Sequence, residues 1–498
     1  MLGVATSSAL CATLKKLIID MKRITLYILS AMVAALQVMA LTPQQAVDKF
    51  VSNSTLRYAS VGVQVIDLDS AKSIASFRPD QANITASTMK TVVSSAALGL
   101  LGPHYRFETP VYLDGTVENG HFKGNIIIRG LGDPTLGSVF LPCQANIVDE
   151  IIAALKARGI SSVEGAVIGD DSYYSYPYYD EDWDVGDLAY DYGTAVHALN
   201  FHDNLVTVSY TLDGRGRVTN SSFSPAVPGL KVISRCRANR GRNAITPYLD
   251  YSIPALVITG ETTGKSYCNT YANPTPAPML VDSVERALKA SGIDYTRDLE
   301  LRSAMAGAES TLLVIHKSPE LTEIITSLLD RSDNMFAHAL LRAIGARDWE
   351  LKGYEGMPSD LDHVGVAAVK HWLGLQGIDT EPLFMRDGSG LARANKASVN
   401  FFGNMLTMMA HRRFDGVRLC DLMPKAEGRS GKTLKANPLS DRIVLKSGSM
   451  RHVQCFVGYY PAEEPRYAFA VLVNNFNCSQ AGIREQIGVF LCNLFEGK

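Results

Sequence analysis

Hydrophobic and polar positions along this chain change rhythm twice. The first stretch opens on an amphipathic run at 42–51, which reads as a helix with Thr42 as N-cap and Pro43 at its first position. Val61–Leu68 and Ser73–Phe77 are strand-like runs around an Asp-rich turn, the pattern of a hairpin. A helix follows near Ser87–Leu101 and stops at Gly102-Pro103. From about 106 to 309 the texture differs. Short β-like runs (Gly124–Arg129, Val163–Gly169, Asn204–Leu212, Leu230–Ser234, Ala255–Gly260) alternate with Gly, Pro and Asn turns, and tyrosines crowd 173–179. From about 310 the helical period returns, in Leu321–Leu329, Asn334–Ile344, His363–Leu375 and Val399–His411. Three strand-like runs close the chain, Arg442–Leu445, His452–Tyr460 and Tyr467–Asn474, followed by a helix at Gln480–Phe495.

The two ends share a texture that the middle lacks. The simplest organisation is one α/β domain made from 41–105 and 310–498, with 106–309 inserted as a β-rich region of two subdomains. A length of 498 residues accommodates about three such units. With 46% apolar and 20% charged residues the chain is an ordinary globular one, which excludes a disordered chain, a fibre and a polytopic membrane protein. Lys and Arg number 48 against 50 Asp and Glu, a net charge of −2, so no broad basic field invites nucleic acid.

The N-terminus bears on compartment. Met21-Lys22-Arg23, the apolar-biased run Ile24–Ala40 and the closing Val38-Met39-Ala40 follow the order of n-region, h-region and cleavage site. Residues 1–40 therefore read as a secretory signal peptide, with Met21 the natural start, and the mature chain is expected in the periplasm. The run is short for a membrane span; left uncleaved, it would tether the chain at a membrane surface. Ser8-Ala9-Leu10-Cys11 lacks the small residue that precedes a lipidated cysteine. Export permits disulfides. Seven cysteines follow the signal (Cys143, Cys236, Cys268, Cys420, Cys455, Cys478, Cys492), an odd number, and Cys236–Cys268 is the pairing to test first. No CxxC or CxxH spacing occurs, so no zinc site is expected.

Ser87-Thr88-Met89-Lys90 is the only Ser-x-x-Lys in the chain. Alone it is a weak signal, since a helix cap followed by a surface lysine gives the same letters. On a helix, residues three apart share a face, so Ser87 would lie in the first turn with Lys90 behind it. A buried lysine of depressed pKa could then deprotonate the serine. Ser332-Asp333-Asn334 opens the helix Asn334–Ile344, and Lys446-Ser447-Gly448-Ser449 ends the strand-like run Arg442–Leu445. S-x-x-K, S-D-N and K-T-G occur in that order in serine β-lactamases and penicillin-binding proteins; here Ser447 replaces the threonine and keeps a hydroxyl. Two rivals for the middle motif are weaker. Ser398-Val399-Asn400 sits too near Lys446, and Tyr271-Ala272-Asn273, with Pro274 after it, reads as a loop of the insert.

Further text surrounds the motifs: Arg129-Gly130-Leu131-Gly132-Asp133-Pro134-Thr135-Leu136, Ser318-Pro319-Glu320-Leu321 and Asp387-Gly388-Ser389-Gly390-Leu391-Ala392-Arg393. This set resembles the class C low-molecular-mass penicillin-binding proteins, the D-alanyl-D-alanine carboxypeptidase/endopeptidases of peptidase family S13, over about 60–490. The resemblance implies a transpeptidase-like (serine β-lactamase-like) α/β domain, an antiparallel sheet flanked by helices, with two β-rich domains inserted between the first and second motifs. It implies a serine peptidase acting on peptidoglycan stem peptides, blocked covalently by β-lactams, with no metal or cofactor. Ser87 would be the nucleophile, Lys90 the base, Ser332, Asn334 and Lys446 the proton relay. Ser447, Gly448, Ser449 and Arg393 would bind substrate, Ser447 and Ser449 through its terminal carboxylate. Asp171 resembles a position that could bind the amino end of diaminopimelate. Asp387–Gly390 reads as a turn whose glycines supply positive φ. Lys-Ser-Gly-Ser in place of Lys-Thr-Gly-Thr, His338 after the second motif and Arg451 after the third depart from the pattern and bear on substrate preference. A β-lactamase on the same scaffold and an inactive peptidoglycan-binding protein are the competing readings.

Overall fold

The computed structural model describes residues 21, 22, 25, 41–141, 146–298, 310–427, 434 and 437–497. The candidate signal segment, save those three positions, and Cys143 lie outside them. Among the described residues no helix is long and apolar enough to cross a membrane.

The central sheet takes strands from both chain ends. β1 (Ser60–Asp67) and β2 (Lys72–Phe77) form the expected hairpin, and β3 (Val444–Met450), β4 (Val453–Tyr460) and β5 (Tyr467–Asn474) complete an antiparallel sheet in the order β3-β4-β5-β1-β2. β5 is its middle strand, and both of its faces are covered, which explains its almost unbroken apolar run. Phe469, Val471 and Val473 pack with α1 (Pro43–Val51) and the C-terminal helix Gln480–Glu496, through Phe50, Ile483, Ile487, Phe490 and Leu491. Ala468, Ala470 and Leu472 face the larger helical cluster instead. The small Ala468 and Ala470 let the helix Val399–His411 lie close, with Phe402, Met405 and Met409 in the same cluster.

α2 (Met89–Leu100) runs through the middle of that cluster, and its residues 89–98 are all buried. α3 (Leu321–Arg331), α4 (Asn334–Leu351) and α5 (Leu361–Leu375) surround it. Gly99 marks the crossing with α5: a Cβ there would stand 2.2 Å from the Trp372 ring. Gly102, at φ 89°, ends the helix where Gly-Pro punctuation predicts.

The middle of the chain is less purely β than its alternation suggests. A mixed sheet carries Glu108–Glu118, His121–Arg129, Ser162–Gly165, Val167–Asp170, Asp294–Arg297 and Thr311–Lys317, backed by helices at Ile147–Ala157 and Pro276–Ala290. Two three-stranded sheets hold Leu205–Leu212, Val218–Ser224 and Ser266–Ala272, and Lys231–Ala238, Ala244–Asp250 and Ala255–Thr262. Thr311–Lys317 pairs with Glu108–Glu118, which brings the chain near 318 back beside 107. The exit and return points are fastened together: Phe107 N donates to Ser318 Oγ at 2.8 Å, and Ser318 N donates to Phe107 O at 3.0 Å.

The cysteine pairing fails. Cys236 and Cys268 are both free and lie on different three-stranded sheets. Cys268 Sγ sits 3.3 Å from Ser209 Oγ, its cross-strand neighbour.

Phe490 stacks on Phe50, ring centroids 4.7 Å apart, and is almost wholly buried. Phe490→Ala is expected to cost about 3–5 kcal/mol, read as a lower urea midpoint, because it empties the layer joining both chain ends.

Candidate active site

Ser87 sits on a one-turn 3-10 segment, Ala86–Thr88, that leads directly into α2. The preceding Ala86 has φ 45°, a left-handed conformation that costs an alanine roughly 1–3 kcal/mol. Two glycines make room for this turn. A Cβ on Gly390 would fall 1.9 Å from Ala86 O, and Gly390 takes φ 81°. A Cβ on Gly448 would fall 2.7 Å from Thr85 O and 3.0 Å from Ser87 N. Strand β3 therefore presses its backbone against the Ser87 turn, which only a residue without a side chain permits. Gly448 shapes the site; it offers no side chain to a substrate.

Lys90 lies on the first turn of α2, fully buried. Its Nζ donates to Ser87 Oγ at 3.0 Å, to Asn334 Oδ1 at 2.5 Å and to Ser389 O at 2.6 Å. Burial pushes the Lys90 ammonium down to about 7, against the opposing carboxylates of Asp387 and Asp333. Asn334 is aimed from its other end, where Nδ2 donates to Tyr192 O at 2.7 Å. Ser332 holds φ 59° between α3 and α4, with Asp333 capping α4 through Phe336 N. This break turns Ser332 towards Lys446, whose Nζ donates to Ser332 Oγ at 2.9 Å and to Ser447 O at 2.8 Å. Burial pushes Lys446 well below its ordinary value, and the nearby Lys90 adds to this. The five residues Ser87, Lys90, Ser332, Asn334 and Lys446 thus converge at one cleft of about 640 Å³, with Ser87, Ser332 and Asn334 on its surface and both lysines behind it.

The cleft lining carries both signs of charge: Arg393 and Arg451, beside Ser449, and Asp182, Asp184 and Asp187 from the middle of the chain. A family model described as D-Ala-D-Ala carboxypeptidase 3 (S13) matches residues 43–494. The chain belongs to that family. Among curated proteins it is 24% identical over 465 residues to a D-alanyl-D-alanine carboxypeptidase of Actinomadura sp. (strain R39), covering 89% of this chain and 82% of the relative. It is likewise 24% identical over 437 residues to the D-alanyl-D-alanine carboxypeptidase DacB of Haemophilus influenzae, covering 84% and 86%. A crystal structure of penicillin binding protein 4 (dacB) from Haemophilus influenzae shares the fold, with TM-score 0.72 and 23% identity over 90% of this chain and 98% of that one. The same protein complexed with a β-lactam gives a TM-score of 0.70 at 22% identity, over 90% of this chain and 98% of that one. The chain is accordingly a serine-type hydrolase.

Not every expected residue reaches the cleft of this S13 enzyme. Asp171 is engaged elsewhere: its Oδ1 accepts from Leu199 N at 2.7 Å and its Oδ2 lies 3.0 Å from His197 Nδ1. It ties its own loop to 197–199 and is not among the residues lining the cleft, whose acids are Asp182, Asp184 and Asp187. Ser447 contributes its carbonyl to Lys446, while Ser449 lines the cleft. The rivals are structural. Ser398 caps its helix through Phe401 N, and Tyr271 and Ala272 belong to a strand of the insert. His338 is buried on α4, its Nε2 3.3 Å from Asp362, which also pairs with Arg342 at 2.9 Å.

Sequence reasoning missed three contributors. The Ser389 carbonyl, the Tyr192 carbonyl and Gln480, which donates to Ser449 Oγ at 2.8 Å, all position motif residues. Two act through backbone atoms and carry no side-chain signal; Gln480 lies on the last helix, far from any motif. The acid-rich stretch around Trp183 was the only legible pointer to the acids of the lining.

Gly448→Ala is expected to slow covalent labelling by penicillin at least about 100-fold while leaving thermal unfolding within a few degrees, because the new methyl displaces the Ser87 turn by a fraction of an ångström.

Proposed function

We propose that the protein is a periplasmic serine DD-peptidase. It releases the terminal D-Ala from peptidoglycan stem peptides, hydrolyses the peptide cross-links between them, and is trapped by β-lactams as an acyl-enzyme. The observation that carries this reading is the Lys90 Nζ to Ser87 Oγ contact of 3.0 Å, made by a lysine that burial leaves partly neutral near pH 7. The family, the printed activities of the relatives and the β-lactam complex of the structural neighbour support it.

In the proposed reaction neutral Lys90 takes the Ser87 proton as Oγ attacks the carbonyl carbon of the penultimate D-Ala. The developing oxyanion lies against the N–H groups of Ser87 and Ser449, each donor worth roughly 2.7–4 kcal/mol in comparable sites. The closeness of β3 to Ser87 N is the geometric support for this pairing. Collapse breaks the C–N bond, and the proton gained by Lys90 passes through the Ser332 hydroxyl, which Lys446 holds, to the departing amine, leaving Lys90 neutral again. Water then attacks the acyl-enzyme with Lys90 again as base, and Ser87 leaves with the proton. Arg393, Arg451 and Ser449, beside Lys446, receive the terminal carboxylate. Asp182, Asp184 and Asp187 receive a free amine further along the stem. A substrate with a carboxylate at one end and an amine at the other fits a cleft lined by both signs of charge.

The reading is tested by incubating the mature protein and Ser87→Ala with labelled penicillin: the parent is expected to label covalently and the variant to lose label entirely. D-Ala release and muropeptide cross-link cleavage, measured in parallel, are expected to disappear together in the variant. An unlabelled parent would sink the assignment, and rapid loss of label from the parent would favour a β-lactamase. Acylation depends on unprotonated Lys90, so its rate is expected to level off above about pH 7 and to fall about tenfold per unit below it. A stopped-flow pH series with a chromogenic β-lactam measures this, and a rate flat between pH 5 and 8 would remove Lys90 as base.

A further inference from the structure

Lys90 is held from a turn outside the S-x-x-K, S-D-N and K-S-G motifs. Lys90 Nζ donates to Ser389 O at 2.6 Å, and that carbonyl belongs to a turn organised by one buried carboxylate. Asp387 Oδ1 accepts from Ser389 N at 2.7 Å, Ser389 Oγ at 2.9 Å and Gly390 N at 2.6 Å. Its Oδ2 accepts from Ala392 N at 2.7 Å and from Trp183 Nε1 at 2.8 Å. Trp183 comes from the inserted region, more than two hundred positions away in the chain. It is 5% exposed and packs with Leu188 and Ala392. A second fastening lies beside it: Arg386, next to Asp387, pairs with Asp180, Glu181 and Asp182 at 3.6, 3.2 and 2.8 Å.

We propose that Asp387 and Trp183 are positioning residues for Lys90: the indole N–H and the turn amides fix the Asp387 carboxylate, and this holds the Ser389 carbonyl at the lysine. The inserted region thereby sets the competence of the base as well as the cleft wall. The inference rests on the peptidase reading, in which Lys90 is the base. Neutral Lys90 needs its lone pair aimed at Ser87, and three acceptors around one ammonium define that direction. The charged and polar groups facing Lys90 are Ser87 and Lys446 near the nucleophile, Asn334 and Asp333 from α4, and Ser389 and Asp387 from the turn. Asp180 and Arg386 stand behind Asp387. A released Ser389 carbonyl stabilises the ammonium less, so Lys90 gives up its proton at lower pH while being worse aimed.

The test compares the parent with Trp183→Phe, which keeps the ring and removes the N–H, and with Asp387→Asn, which removes the charge. All rates are normalised to the fraction of protein that penicillin finally labels. For Trp183→Phe, kcat for D-Ala release is expected to fall about 10- to 100-fold, with KM within about twofold and the acid limb of the kcat profile moved to lower pH. For Asp387→Asn the limb moves further in the same direction, and this variant decides the matter if the tryptophan variant does not fold. A normal kcat, or a lowered kcat with an unmoved acid limb, overturns the proposal and leaves the peptidase reading standing. A raised KM with an unmoved limb overturns it too, because the loop would then act on substrate binding. Absence of label on the parent instead overturns the reading on which it rests.

Discussion

Two lysine side chains are buried within one cleft, and much of the architecture follows from holding them there. An isolated ammonium removed from water is strongly disfavoured, and two near each other are worse. Lys90 and Lys446 are both fully buried, and Lys90 further lowers the proton affinity of Lys446. The structure supplies each with oxygen acceptors drawn from distant stretches: Ser87, Asn334 and Ser389 for Lys90, Ser332 and Ser447 for Lys446. These acceptors can compensate for lost hydration only if four separate segments arrive together. The central sheet, α2, α4 and the 387–393 turn are the means by which they do.

Close packing of backbone around the nucleophile comes from the same requirement. β3 must pass near enough for the Ser449 region to face Ser87, and Gly448 clears the path. The turn holding Ser389 must come as near from the other side, and Gly390 clears that one. Ala86 is left in a left-handed conformation between them. Strain of this kind persists only where neighbouring contacts over-determine the backbone, and α2, buried along almost its whole length, provides that anchorage.

The inserted region is part of the site. Its entry and exit strands pair with each other, so the excursion from 107 to 318 closes on itself and leaves the flanking segments adjacent. It then reaches back to the cleft through the stretch from Asp180 to Tyr192. That stretch supplies the acids of the cleft, the Tyr192 carbonyl that orients Asn334, and the Trp183 indole on Asp387. A catalytic domain without the insert would lack the groups that aim both Asn334 and the turn holding Lys90.

How much of this was legible beforehand depended on whether a side chain or a fold carried the information. The three motifs named Ser87, Lys90, Ser332, Asn334 and Lys446 because their chemistry resides in side chains at short, local spacings. The helices at both ends were readable from their 3.6-residue period, and β5 from its apolar run, since local pattern mirrors local burial. The helices Ile147–Ala157 and Pro276–Ala290 and the weakly patterned strands of the insert were not, because turn residues around them dominate the local signal. The Cys236–Cys268 pairing went astray because it was a statement about distance, and nothing local constrains where such residues meet. By itself, then, the sequence determined which side chains are proposed to react and the elements that carry them. The tertiary structure alone decided which carbonyls hold the lysines and which acids line the cleft, because those roles belong to backbone atoms and long-range contacts that no stretch of residues encodes on its own.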